Sequence, residues 1–254
     1  MIYLHVLSSG SSGNCYIIET ENRYVVVDVG LPLYRLKDFI TFEKYKAIDL
    51  FITHEHTDHI GGIKPFLNKF KPNVYTSEGT AWQLNIKGIN CEGFYILDAR
   101  KVYDLKDYEV LPFNITHDGA QPFGYRFNFD NTSVAFATDL GVVTNEVLNG
   151  INGAHCLVLE SNYEEDMLIN GSYPYHLKKR VMSSKGHLSN KDAINVVSEI
   201  FNNGLKQLYF GHISEENNDY SLMQKYVDFC RRNFGISADF FRQMSPVKGI
   251  RLYA

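Results

Sequence analysis

Three imidazoles and a carboxylate fall within six positions of Thr53-His54-Glu55-His56-Thr57-Asp58-His59-Ile60-Gly61-Gly62, directly after the apolar run Leu50-Phe51-Ile52. On an extended strand end His54 and His56 point to the same side, because side chains alternate with a period of two. The turn that follows can bring Asp58 and His59 back toward them. Neutral imidazole suits zinc, manganese or iron, and a carboxylate adds the negative charge that holds a dication. A histidine-rich polar loop is the simpler alternative. Burying several imidazoles without a metal, however, leaves ring nitrogens unpaired at about 1–3 kcal/mol each.

The elements that must position these residues come in two strand-rich blocks. The first holds strands at Tyr3–Leu7, Cys15–Glu19 and Tyr24–Asp28, followed by helices at about 32–42, 61–70 and 78–87. The second holds strands at roughly 94–97, 109–116, 123–129 and 132–138, with Asp130-Asn131 as a tight hairpin turn. A helix near 143–149, the strand His155–Glu160, helices near 174–182, 190–202 and 217–233, and strands 206–211 and 249–253 complete the chain. Helices interleaved with two strand blocks suit two stacked sheets with helices on both outer faces.

With 254 residues, 44% hydrophobic and 21% charged, one large core fits better than two, so a single domain over residues 1–254 is expected. No 18-residue apolar stretch is present, and Met1-Ile2-Tyr3-Leu4-His5-Val6 lacks the charged start and long apolar core of a signal peptide. A soluble, cytoplasmic protein without membrane attachment is the expectation. Cys15, Cys91, Cys156 and Cys230 are scattered with no Cys-x-x-Cys pair, which excludes a zinc ribbon and points to four reduced thiols, Cys15 and Cys156 in buried strands.

The motif His-x-His-x-Asp-His followed by Gly-Gly resembles the signature of the metallo-β-lactamase fold superfamily. The resemblance implies an α+β, four-layer αββα sandwich and three further ligands at strand ends. The chain offers them in order: His117 after Glu109–Thr116, Asp139 after Ser133–Thr138, and His212 after Gln207–Gly211. Each stands where a hydrophobic strand meets a glycine or polar loop. In the implied arrangement His54, His56 and His117 hold one divalent metal, Asp58, His59 and His212 a second, and Asp139 bridges them. Two dications about 3.5–4 Å apart lower the pKa of a shared water from 15.7 to about 7, so hydrolysis by a bridging hydroxide is the expected reaction. Zinc suits the histidines by affinity, and manganese is often the active ion in nucleases of this kind. His5, His155 and His176 follow no strand end in that order and are read as packing or surface residues.

Two segments lean toward phosphodiesters. Leu157-Val158-Leu159-Glu160-Ser161-Asn162 is a buried strand ending in a carboxylate, and Lys185-Gly186-His187-Leu188-Ser189-Asn190 sets a histidine before a helix. Together they resemble the glutamate and histidine of the transfer-RNA 3′-processing nucleases and of related cyclic phosphodiesterases, in which the histidine contacts the scissile phosphate and the glutamate orients it. His187 then serves as general acid for the leaving alkoxide. A plain cap, Ser189 as N-cap with Asp192 three residues on, is compatible with that role. Lys178, Lys179, Arg180, Lys185 and Lys191 near Tyr173 and Tyr175 either track a nucleic-acid backbone or make a solvated helix face. Overall charge is no help, since the net is −4 and the pI near 6.1. The loop Ser8-Ser9-Gly10-Ser11-Ser12-Gly13-Asn14 is either an anion-binding turn, with Ser11, Ser12 and Asn14 meeting substrate beside Lys185 and Ser189, or a flexible connection.

Val6–Asn14, Thr116-His117-Asp118, Ala137–Gly141, Glu160-Ser161-Asn162, Gly186–Asn190 and Gly211–Asn218 together are similar to the bacterial YycJ/WalJ-like group. That resemblance implies a cytoplasmic two-metal nuclease with DNA as substrate, described for the group as a double-strand 5′-to-3′ exonuclease linked to mismatch repair. The competing expectation is a small-molecule hydrolase, either a cyclic phosphodiesterase or a thioester or lactone hydrolase.

Overall fold

A computed structural model describes residues 1–254, with every side chain except that of Asp38. The chain divides into two compact units, Met1–Asp98 with Gly119–Phe123 and Arg242–Leu252, and Ala99–Asp118 with Gly124–Phe241 and Tyr253–Ala254. In the first unit lie strands β1 (Tyr3–Ser8), β2 (Cys15–Glu19), β3 (Arg23–Val27), β4 (Ala47–Phe51), β5 (Asn73–Thr76) and β6 (Tyr95–Ile96), with helices α1 (Leu33–Phe39), α2 (Thr57–Ile60), α3 (Ile63–Phe70) and α4 (Glu78–Ile86). Next come β7 (Tyr103–Asp104), β8 (Glu109–Asn114), β9 (Phe123–Phe129), β10 (Thr132–Ala137), β11 (Cys156–Glu160), β12 (Gln207–Gly211) and β13 (Ser237–Phe240). Their helices are α5 (Asn145–Ile151), α6 (Glu165–Asn170), α7 (Tyr175–Val181), α8 (Asn190–Ile200) and α9 (Tyr220–Phe234), and β14 (Val247–Arg251) returns to the first unit.

Each unit is built on one mixed seven-stranded sheet. In the first, in the order β14-β1-β2-β3-β4-β5-β6, pairing is antiparallel from β14 to β3 and parallel from β3 to β6. The parallel half follows from helical crossovers, because parallel neighbours need a long connection, usually a helix. Val25, Val26, Val27, Leu50 and Phe51 are all buried, and Val26 and Leu50 share a core with Ile63, Phe66 and Leu84 of the covering helices. The register Val27↔Phe51↔Tyr75 aligns the carboxyl ends of β3, β4 and β5. Asp28 and the histidine motif therefore leave the sheet at one edge.

The second sheet, β13-β12-β11-β10-β9-β8-β7, pairs in parallel from β10 to β13. Ala137↔Leu159↔Phe210 aligns the ends of β10, β11 and β12, so Asp139, Glu160 and His212 also emerge together. Leu157, Leu159, Phe210, Val196 and Val227 lie in one core cluster that joins this sheet to α8 and α9. Asp130 and Asn131 form the hairpin turn anticipated from the sequence, with Phe129 opposite Thr132.

Two of the differences from the sequence reading have local causes. The helix expected at 61–70 begins at Ile63 as α3, preceded by the unanticipated one-turn helix α2; the two meet at Gly61-Gly62, where a side chain on Gly62 would lie 1.9 Å from the Leu31 carbonyl oxygen. The short strands β5, β7 and β13 and helix α6 were not anticipated; α6 buries only Leu168 and so carries no apolar stripe. All four cysteines are free thiols, with Cys15 and Cys156 buried as expected.

Candidate metal-binding residues

In the first unit, β4 runs out through Ile52 and Thr53 into the motif, and α2 folds Asp58 and His59 back. His54 and His59 are wholly buried, with ring centroids 4.1 Å apart. His54 Nε2 lies 3.1 Å from His56 Nδ1. Two ligands held about 2.0–2.1 Å from a tetrahedral zinc stand about 3.3 Å apart, so this spacing fits two donors of one ion. His59 Nε2 and Asp58 Oδ2, 3.4 Å apart, fit equally well.

Neighbouring groups decide which ring nitrogens are available. Buried Asp28 accepts the Thr53 N–H on Oδ1 at 2.9 Å and the Thr53 hydroxyl on Oδ2 at 2.7 Å. It also accepts the His59 Nδ1–H at 2.7 Å, which places the His59 lone pair on Nε2, beside the Asn14 amide. Thr53 Oγ1, having donated to Asp28, accepts His54 Nδ1–H at 3.0 Å and leaves His54 Nε2 as the donor atom. Burial pushes the Asp28 carboxyl above its ordinary value, against the pull of His59 and Thr53. Asp28 was not singled out in the sequence; its only signal there is a carboxylate closing the apolar run Tyr24–Val27.

The backbone beneath is tightly tied. Asn14 N–H donates to Asp58 O at 2.7 Å, Gly30 N–H to Asn14 O at 2.9 Å, and Val29 N–H to His59 O at 2.8 Å. Gly30 must be glycine, because an added Cβ would sit 1.7 Å from Asp58 O. Asn14 is fully buried, its Oδ1 accepting Gly10 N–H at 2.8 Å and its Nδ2 lying 3.2 Å from Asp58 Oδ2 and 3.0 Å from His59 Nε2. Ser11 and Ser12 are exposed on the loop above, and Ser12 bonds Gln243.

In the second unit, His117 follows β8, and its Nδ1–H donates to Gly186 O at 3.1 Å, leaving Nε2 3.7 Å from Asp139 Oδ1. His212 Nε2 lies 3.4 Å from the same oxygen. Glu160, wholly buried, organises the rest: Oε1 accepts Nδ1–H from both His212 and His187 at 2.8 Å each, and Oε2 accepts backbone N–H from Leu140 at 2.5 Å and Leu188 at 3.2 Å. Burial raises the Glu160 carboxyl, but His187 and His212 outweigh it and hold the group below its ordinary value. One ligand atom from each of Asp139, Glu160, His187 and His212 lies within 4.8 Å of the others. Asn162, missed as a site residue in the sequence, donates from Nδ2 to His212 O at 2.7 Å.

Asp28, Asp139 and His212 adopt left-handed backbone at φ 60°, 58° and 52°. Such conformations cost of order 1–3 kcal/mol and persist where surrounding structure imposes them. All three stand just past a strand end, where the chain must turn to aim a side chain.

Ser189 is the N-cap of α8, accepting Asp192 N–H at 3.1 Å, so the cap and the placement of His187 coexist. Lys185 is exposed. Arg180 grips Asp118 Oδ2 from Nε and Nη2 at 2.7 Å each, tying α7 to the residue after His117. His5 pairs with Glu19 at 2.9 Å and His155 Nδ1 accepts Ser133 N–H at 3.1 Å, both structural roles. His54, His59, His117 and His212 offer imidazole nitrogens whose second nitrogen is already satisfied, and with the carboxylates they fit a divalent metal.

A family model described as a β-lactamase superfamily domain matches residues 24–213. The exodeoxyribonuclease WalJ of Streptococcus pneumoniae is 33% identical over 92% of this chain and 91% of its own length. The exodeoxyribonuclease YycJ of Bacillus anthracis is 32% identical over 94% and 93%. Among solved structures, the metallo-β-lactamase fold protein YhfI of Bacillus subtilis superposes with a TM-score of 0.74 at 14% identity, covering 98% of this chain and 99% of that one. That likeness shows the fold, and the α+β class expected from the sequence stands. With a ligand-like donor set in each unit and these relatives along nearly its whole length, the chain belongs to the β-lactamase superfamily, as a metal-dependent hydrolase of the WalJ/YycJ group.

Proposed function

We propose that the protein is a two-metal phosphodiesterase acting on DNA, a double-strand exonuclease of 5′-to-3′ polarity serving repair in the cytoplasm. The observation that carries this reading is Glu160 Oε1 holding both His187 and His212, which couples a metal-ligand histidine to a histidine that the ligand set does not need. The near full-length identity to proteins named exodeoxyribonucleases supports the substrate class. Among the described residues no helix is long and apolar enough to cross a membrane.

In this reading His54, His56 and His117 would hold one metal and Asp58, His59 and His212 the other, with Asp139 shared. Zinc or manganese, when bound, supplies activated water at neutral pH and positive charge for the phosphoryl oxygens. His187, its Nδ1–H committed to Glu160, keeps Nε2 for the proton passed to the leaving alkoxide. Asn14 positions Asp58 and His59, and Ser11, Ser12 and Lys185 line the approach of substrate, whereas Ser189, anticipated there from the sequence, is buried as the cap of α8. The test is hydrolysis of end-labelled duplex DNA by the manganese-loaded protein, with bis-p-nitrophenyl phosphate and a cyclic nucleotide run in parallel. Release of labelled mononucleotides from the 5′ end is the expected result. Turnover of the small diesters with the duplex left intact would replace the reading by a small-molecule phosphodiesterase.

A further inference from the structure

The first unit carries a cavity at the opposite end of β4 from the histidine motif. A cavity of about 650 Å³ opens there, lined by Ala47 and Asn73, the first residues of β4 and β5. The five residues of β4, at about 3.3 Å each, separate it from the motif by roughly 16 Å. Lys37, Lys44, Lys46, Lys69 and Lys71 line it, against Glu43 as the one carboxylate among the described residues. In a chain of net charge −4 that concentration of cations is local.

Lys46 is already engaged, 2.6 Å from Glu19 and 3.8 Å from Glu43. Among the described residues, none of Lys37, Lys44, Lys69 and Lys71 is ion-paired. Lys37 instead stands beside Lys69, and its neighbouring charge holds the Lys69 pKa below the ordinary lysine value. Each stands in the last turn of a helix, α1 or α3, where a cation is favoured by the dipole. That accounts for one lysine per helix, not for both lysines lining one cavity, whose like charges an anion would relieve. Beside them, half-buried Phe42 and Phe70 form an aromatic wall, their ring centroids 4.7 Å apart, with Lys69 over the Phe70 ring.

We propose that this cavity binds a free nucleoside polyphosphate, with the lysines on the phosphates and the Phe42–Phe70 wall against the base. Lysine is a point-charge phosphate ligand, and stacking a base on an aromatic ring is worth about 1–3 kcal/mol. The volume lies within the roughly 300–1,000 Å³ of small-molecule sites. Inorganic phosphate would use the cations and leave the wall idle, so the two-part lining selects a nucleotide. The inference stands independently of the phosphodiesterase reading.

The experiment is fluorescence titration of the full-length protein with N-methylanthraniloyl-ADP, competed by unlabelled ADP, pyrophosphate and a short single-stranded oligonucleotide. Saturable binding is expected, displaced by ADP, weakened at least about ten-fold in the Lys37→Ala/Lys69→Ala double variant and retained in Asp58→Ala. Both lysines are exposed, so the double variant keeps the fold. No saturation by about 1 mM, unchanged affinity in the lysine variant, or loss in Asp58→Ala overturns the proposal. Pyrophosphate competing as well as ADP removes the base contact and overturns it too, and an oligonucleotide competing better than ADP replaces it with a nucleic-acid track.

Discussion

His59 donates its Nδ1–H to Asp28 across 2.7 Å, with both side chains buried, so a residue 31 positions upstream determines which nitrogen of this imidazole is offered to a metal. Replacing Asp28 by Asn keeps the shape, tolerates the left-handed backbone and removes the charged acceptor. Metal affinity should fall about 10–100-fold, as it does on loss of comparable outer partners. Competition with a chromogenic chelator measures it, and undiminished affinity would exclude Asp28 from the metal site.

His187→Ala should lower turnover about 10²–10⁴-fold while bound metal stays constant, because its proposed role is proton transfer rather than ligation. Glu160→Gln should instead lower both, since Glu160 holds His187 and His212 alike. Elemental analysis of each purified variant beside its kinetics separates the two. A His187 variant that loses metal would move that residue into the ligand shell.

Asp58→Ala and His212→Ala should each abolish hydrolysis with the far-ultraviolet circular dichroism unchanged. Chelation of the wild type should lower its unfolding midpoint, because an ion bound only by the native state stabilises it by about 2.7 kcal/mol at 100 times its Kd. The chelator should have no such effect on Asp58→Ala if that variant is already metal-depleted. Full activity in either variant would sink the ligand assignment.

Gly30→Ala should destabilise the chain by at least about 3 kcal/mol, the upper end of ordinary overpacking, since the new methyl meets Asp58 O at 1.7 Å and that backbone is itself tied to Asn14. Urea unfolding reads the loss directly. A midpoint within error of the wild type would mean that the loop carrying Asp58 can move aside.

The histidine motif was legible because its donors are neighbours in sequence, and His117, Asp139 and His212 because each closes a hydrophobic run. Asp28 and Asn162 were not, because each finds its partner only through folding: Asp28 reaches Thr53 and His59 through the parallel pairing of β3 with β4, and Asn162 reaches His212 from the end of β11 beside β12. The long strands and amphipathic helices followed from periodicity. The edge strands β7 and β13 are too short to show any, at two and four residues.

The left-handed backbone at Asp28, Asp139 and His212 changes how substitutions at these positions must be interpreted. Alanine there removes a functional group and also imposes a torsional penalty, so its phenotype mixes lost chemistry with a displaced chain. Asparagine accepts the same torsion at little cost and isolates the loss of charge at Asp28 and Asp139 and the loss of the imidazole at His212, while glycine relaxes the torsion and deletes the group. A three-way comparison of asparagine, alanine and glycine at each position would therefore partition function from geometry, which a uniform alanine scan of this protein would conflate.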